Sequence, residues 1–90
     1  MTKSIDKFKI LEKGIVTKIL GEGAIRRRLF DMGLTPGAHV ILRKRAPLGD
    51  PIEITVRNYE LSLRKNEAEK VICEVEETEL NNSNKEVENA

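Results

Sequence analysis

Ninety residues make a single domain, and a chain of this length buries only about 60% of the surface it exposes when unfolded, so its core is thin. One cysteine, Cys73, excludes an internal disulfide framework and points to a reducing compartment, the cytoplasm, while no apolar run approaches the ~20 residues needed to span a bilayer and the N-terminus lacks the apolar segment of a secretion signal. The net charge of +1 hides an asymmetry, fifteen bases against nine acids in residues 1–73 and an acidic remainder, which fits an acidic partner surface as well as it fits plainly solvated charge.

Residues 1–12 are rich in lysine, with Phe8, Ile10 and Leu11 as their apolar anchors. They are expected as a loose end followed by a partly ordered segment laid against the core. In residues 13–20, Ile15, Val16, Ile19 and Leu20 lie between Gly14 and Gly21 and favour a strand, without clean alternation. Residues 23–32 place Ile25, Leu29 and Met32 at i, i+4 and i+7, which predicts a helix with Arg26, Arg27 and Arg28 mainly off its apolar stripe. Its stop is legible too: Gly33 suits the left-handed position after the helix, Leu34 can pack back on Leu29, and Pro36 blocks continuation. Thr35-Pro36-Gly37-Ala38 then has the residues of a type II turn.

Strands follow. Val40 and Leu42 share a face; Ile52, Ile54 and Val56 alternate with Glu53, Thr55 and Arg57; Tyr59, Leu61 and Leu63 alternate with Glu60 and Ser62. Only Arg57 and Asn58 separate the last two runs, and Asn58 tolerates the positive φ of a tight hairpin. Asn66 is expected to cap a short turn over residues 67–70 before Val71, Cys73 and Val75 resume alternation in a final strand. The result is a mainly β fold with one helix, a small barrel of about five antiparallel strands over residues 13–76. Residues 77–90 hold too few apolar side chains to offset their ordering entropy and are expected to form a disordered acidic tail.

Between two of the strands lie Ala46-Pro47-Leu48-Gly49-Asp50-Pro51. The prolines fix φ at either end and Gly49-Asp50 supplies turn chemistry. Leu48 must fold back over the sheet or face something outside the protein.

The chemical inventory does not favour an enzyme. His39 and Cys73 stand apart, the first expected as an exposed strand residue and the second as core, so neither a nucleophile–base pair nor a metal ligand set is evident. No phosphate loop or dinucleotide fingerprint is present, and no cofactor is implied. The basic runs Arg26-Arg27-Arg28 and Arg43-Lys44-Arg45 raise nucleic-acid binding, but aromatics make up 3% of the chain and the stacking platforms of single-strand binders are missing. The arginines of the helix also raise charge stabilisation in trans at a phosphoryl group.

The strings Arg27-Arg28-Leu29-Phe30-Asp31-Met32-Gly33-Leu34-Thr35-Pro36-Gly37, Arg45-Ala46-Pro47-Leu48-Gly49-Asp50-Pro51-Ile52-Glu53-Ile54 and Leu61-Ser62-Leu63-Arg64 resemble the FeoA family of bacterial ferrous iron uptake over roughly residues 13–76. The resemblance implies an SH3-like barrel and a cytoplasmic accessory protein that binds the cytosolic GTP-binding region of the FeoB transporter and modulates its GTPase or transport activity. It also implies a place in iron homeostasis and transition metal ion binding, with no metal ligand assigned here and no insertion into the membrane. Similar modules end some iron-dependent repressors, so an iron-dependent regulatory domain or a nucleic-acid-binding barrel is the alternative. Asn58 stands where the family often has Gly. By elimination, the candidate partner surface is the loop tip, Pro47, Leu48, Gly49 and Asp50, with Arg43 and Arg45 beside it, while Gly33, Pro36, Gly37 and Asn58 are expected as structural turns. The oligomeric state is left open.

Overall fold

Period-two burial organises this chain. In the computed structural model, which describes residues 1–76, six strands form one antiparallel sheet: β1 (Thr2–Ser4), β2 (Lys13–Ile19), β3 (His39–Arg45), β4 (Ile52–Val56), β5 (Tyr59–Leu63) and β6 (Val71–Glu74). Their order is β1-β6-β2-β3-β4-β5. Helix α1 (Gly23–Asp31) interrupts the β2–β3 connection and α2 (Lys65–Ala68) the β5–β6 connection, and a 3₁₀ turn at Ile5–Lys7 follows β1. The tail expected from 77 to 90 lies outside the described residues. No helix among the described residues is long and apolar enough to cross a membrane.

Strand β4 shows the rule most plainly. Ile52, Ile54 and Val56 are buried and Glu53 and Thr55 are half-buried between them. Val40 and Leu42 of β3, Leu63 of β5, and Val71, Cys73 and Val75 in and after β6 complete the wall of the core. Two register shifts interrupt the ladders, one in β2 between Val16 and Lys18 and one in β3 between Leu42 and Lys44. An extra residue in one strand reverses which side chains face inward beyond it. This accounts for the imperfect alternation of β2, where Gly14, Val16 and Ile19 point in and Ile15 is exposed.

Helix α1 ends as its sequence predicts. The Leu34 N–H donates to the Leu29 carbonyl at 3.1 Å and the Gly33 N–H to the Phe30 carbonyl at 2.9 Å, with Gly33 at φ 97°. This is the Schellman pattern, and its hydrophobic contact is fully buried, since Leu29 and Leu34 are both inaccessible. In the following turn the Ala38 N–H donates to the Thr35 carbonyl at 2.9 Å, and Gly37, after Pro36, has φ 94°. Arg57 and Asn58, at φ 49° and 72°, close the β4–β5 hairpin with Val56 opposite Tyr59. The Arg57 Nε then donates to the Gly33 carbonyl at 3.1 Å and the Tyr59 hydroxyl to that of Met32, which fastens the end of α1 to the hairpin.

Two expectations require correction. The N-terminal segment is no loose end: Thr2–Ser4 pairs with β6, and Ile5 and Phe8 are core residues, whereas Ile10 and Leu11 are exposed. A three-residue strand paired with a partner some seventy positions away carries no local pattern that would announce it. Asn66 does not cap the short helix. The helix begins two residues earlier than expected, at Lys65, and the Glu67 carboxylate accepts the Arg64 N–H at 3.0 Å, while Asn66 lies inside the turn.

Gly14 matters for packing rather than for turning the chain. A Cβ placed there would lie 2.8 Å from Phe8 Cζ and 2.9 Å from Val75 Cγ1, with the Glu74 carbonyl at 3.2 Å. Gly14→Ala is therefore expected to destabilise the fold by about 1–3 kcal/mol, read as a lowered urea midpoint, because both neighbours are core groups that must shift.

Candidate partner-binding site

The loop between β3 and β4 is closed by its own backbone. The Ala46 N–H donates to the Pro51 carbonyl at 2.9 Å and the Gly49 N–H to the Ala46 carbonyl at 2.7 Å. The second bond makes a β-turn with Pro47 and Leu48 at its centre, and Gly49 follows at φ 88°. Leu48 is 97% exposed, far more than any other large apolar side chain among the described residues. Pro47 is exposed beside it. The side chain does not fold back over the sheet; it stands out from a turn with little freedom to rearrange.

Asp50 is bound to the scaffold. Its Oδ1 accepts the backbone N–H of Lys65 at 2.9 Å, so the loop is held against the first residue of α2. That amide belongs to the opening turn of the helix, where no carbonyl of the helix itself is available to it. Arg64 and Lys65, both exposed, are thereby brought beside the loop. Nothing in the spacing of residues 50 and 65 signals this, and sequence reasoning missed both bases.

Arg45 is not a tip residue. Its Nη2 donates to the Asp6 carbonyl at 2.9 Å and to the Phe8 carbonyl at 2.5 Å, so the guanidinium pins the 3₁₀ turn against the end of β3. The register shift between Leu42 and Lys44 is the reason: beyond it Arg45 pairs with buried Ile52, on the inner side, and Lys44 pairs with Glu53 on the outer one. Arg43 remains exposed at the shift. Of the two bases expected beside the loop, the structure leaves Arg43 facing solvent and engages Arg45 internally.

The arginines of α1 are partly committed as well. Arg28 Nη1 lies 2.6 Å from Glu67 Oε2, whose side chain is almost inaccessible, and the Arg26 guanidinium stacks 4.7 Å from the centre of the Phe30 ring. Arg28 thus ties α1 to α2, and Arg27 alone keeps an exposed head with neither contact. His39 is exposed at the start of β3. Cys73 is fully buried, and desolvation pushes its thiol up to about 12, which leaves it protonated and unreactive at neutral pH. Among the described residues no three His, Cys, Asp or Glu side chains converge as a metal site.

A shallow groove on the outer face of β2 is bordered by Leu11, Ile15, His39, Glu74 and Glu76. Its acids are largely answered from within, Glu12 by Lys3 at 2.8 Å and Glu74 by the N-terminal ammonium at 2.6 Å. Burial alone would raise the Glu12 pKa, but the Lys3 bond, the Lys9 amide and the charges of both lysines together hold it below its usual value.

Comparison with known proteins gives this geometry a context. Residues 3–75 match the model of the FeoA domain. A fusion protein of Fe(2+) transport protein A and the Fe(2+) transporter FeoB from Porphyromonas gingivalis is 32% identical over 64 residues, which is 71% of this chain and 8% of the fusion, so the chain spans only a small part of that relative. An FeoA-like protein from Clostridium acetobutylicum, solved by NMR, superposes with a TM-score of 0.77 at 38% identity over 82% of this chain and 86% of its own. FeoA from Stenotrophomonas maltophilia, crystallised with zinc and described as an SH3 domain protein, has the same fold at a TM-score of 0.69 and 24% identity, covering 79% of this chain and 88% of its own.

The Arg45 bridge makes a claim about stability. Arg45→Ala removes two charge-assisted hydrogen bonds from partly buried carbonyls and is expected to cost about 2–3 kcal/mol, with faster amide hydrogen exchange in the segment Ile5–Lys7. Arg43→Ala, at the exposed neighbour, is expected to stay within about 0.5 kcal/mol of the parent.

Proposed function

This chain belongs to the FeoA family, and we propose that it acts in ferrous iron uptake by binding the cytosolic, GTP-binding region of a FeoB transporter through the loop that carries Leu48, thereby modulating nucleotide hydrolysis or transport. The observation that carries this reading is the exposure of Leu48 on a closed, proline-bounded turn. A leucine held away from the core at 97% exposure contributes almost nothing to folding, whereas burial in a partner is worth about 2 kcal/mol. The fused arrangement in the Porphyromonas gingivalis relative supports association of the two partners, because fusion holds them at high effective concentration. Fe²⁺ is the cargo of the transporter and needs no ligand set on this chain.

The arrangement favours contact over chemistry. Cys73 is sealed and protonated, His39 stands alone, and two of the three helix arginines are held by Glu67 and Phe30. A module that works by contact needs a rigid presenting surface, and the loop has one, since a preformed turn loses little freedom on binding. The cytoplasm is where such a surface would meet the GTP-binding region.

Leu48→Ala is expected to weaken binding to the purified cytosolic region of the cognate FeoB roughly thirtyfold, measured by titration calorimetry, and Leu48→Asp to abolish it. Both variants should unfold within about 0.5 kcal/mol of the parent because the side chain makes no core contact. Unchanged affinity in a folded Leu48→Asp variant would remove the tip from the account.

A further inference from the structure

Around Leu48 the structure gathers charge that the spacing of the residues does not announce. Asp50 draws the first turn of α2 to the loop, so Arg64 and Lys65 stand on one flank, while Arg43 and Lys44 lead into the loop from β3 on the other. All four are exposed. Three acids lie on the loop, β4 and α2, and one of them, Glu67, is taken up by Arg28 and the Arg64 amide. Asp50 spends an oxygen on the Lys65 amide, and Glu53 lies 3.7 Å from Lys44. Among the described residues Arg43, Arg64 and Lys65 take part in none of the ion pairs, which join Lys3, Lys7, Arg28, Lys44 and the N-terminal ammonium to carboxylates.

We infer that the tip fits an apolar socket with an acidic rim on a protein partner: Leu48 enters the socket, and Arg43, Arg64 and Lys65 meet carboxylates around its mouth. This rests on the reading of the loop as the surface that meets the transporter, and it adds the chemistry of the partner and two recognition residues, Arg64 and Lys65, from a different element. Charge complementarity selects the rim. Three bases that form no ion pair among the described residues, set beside one apolar knob, would be repelled by a basic surface and left unanswered by a neutral one, and they would speed encounter with an acidic one. The closed geometry selects a protein socket over a lipid headgroup layer. Three hydrogen bonds hold the loop in one shape, and a fixed shape is of use against a surface that is itself fixed.

The test measures affinity for the purified cytosolic region of FeoB at roughly 50 mM and roughly 300 mM salt. The parent should bind about tenfold more weakly at the higher salt. The double variant Arg64→Glu with Lys65→Glu should lose about tenfold or more at low salt and show a flatter salt response. Lys18→Glu makes the same kind of change on β2, at the end of that strand away from its pairing with β3, and should leave affinity within twofold. If Leu48→Asp abolishes binding while the double reversal and the salt have no effect, the acidic rim is overturned and the tip reading survives. If Leu48→Asp binds as the parent does, the tip reading falls and the rim with it. Retention of the chain by phosphatidylglycerol vesicles in the absence of the transporter domain, lost in Leu48→Asp and in the double reversal, would overturn the protein socket in favour of a lipid surface.

Discussion

The hydrogen bond from the Lys65 amide to the Asp50 carboxylate joins the two parts of the proposed recognition surface. One side of it is the β3–β4 loop, closed by its own backbone; the other is the first turn of α2, whose Glu67 accepts the Arg64 amide and pairs with Arg28 of α1. A continuous set of contacts therefore runs from the exposed leucine to the long helix, through groups that are each satisfied. Without the Asp50 contact, the loop would hang from two strand ends and α2 would lose an acceptor for its first amide. The presenting surface is rigid because the scaffold uses the loop to complete itself.

Much of this was legible in the chain. The stripe of Ile25, Leu29 and Met32, the stop at Gly33, the Thr35–Ala38 turn and the two-residue hairpin at Arg57 and Asn58 are local patterns, and local patterns survive without knowledge of the tertiary fold. What escaped depends on contacts distant in sequence. Strand β1 is too short to show alternation and is defined by pairing with β6. The direction of Arg45 follows from a register shift two residues earlier, and strict alternation from Leu42 would have turned it outward, toward the tip. Gly14 reads as a boundary in the sequence, yet it is buried because Phe8 and Val75 close over it. The Asp50 contact with α2, which brings in Arg64 and Lys65, is likewise invisible to spacing.

These differences change the candidate surface in a definite way. Arg45 moves from recognition to architecture, Asp50 from the tip to the joint behind it, and two bases from α2 take a place beside Arg43. Leu48, for which the sequence left both an inward and an outward course open, is a solvated side chain on a fixed turn. Cys73, Arg26 and Arg28 are meanwhile accounted for by packing, ring stacking and ion pairing, and Arg27 alone on α1 keeps neither contact.

The central claim is that this end of the barrel, and no other surface, meets the transporter. Amide chemical-shift mapping of the isotope-labelled chain during titration with the cytosolic region of FeoB addresses it residue by residue. The account predicts that the largest changes cluster at Leu48, Gly49 and Asp50 and in the first turn of α2, with Arg26–Phe30 and the outer face of β2 unmoved. Changes centred on α1, or on the groove beside Ile15 and His39, with the loop silent, would contradict it.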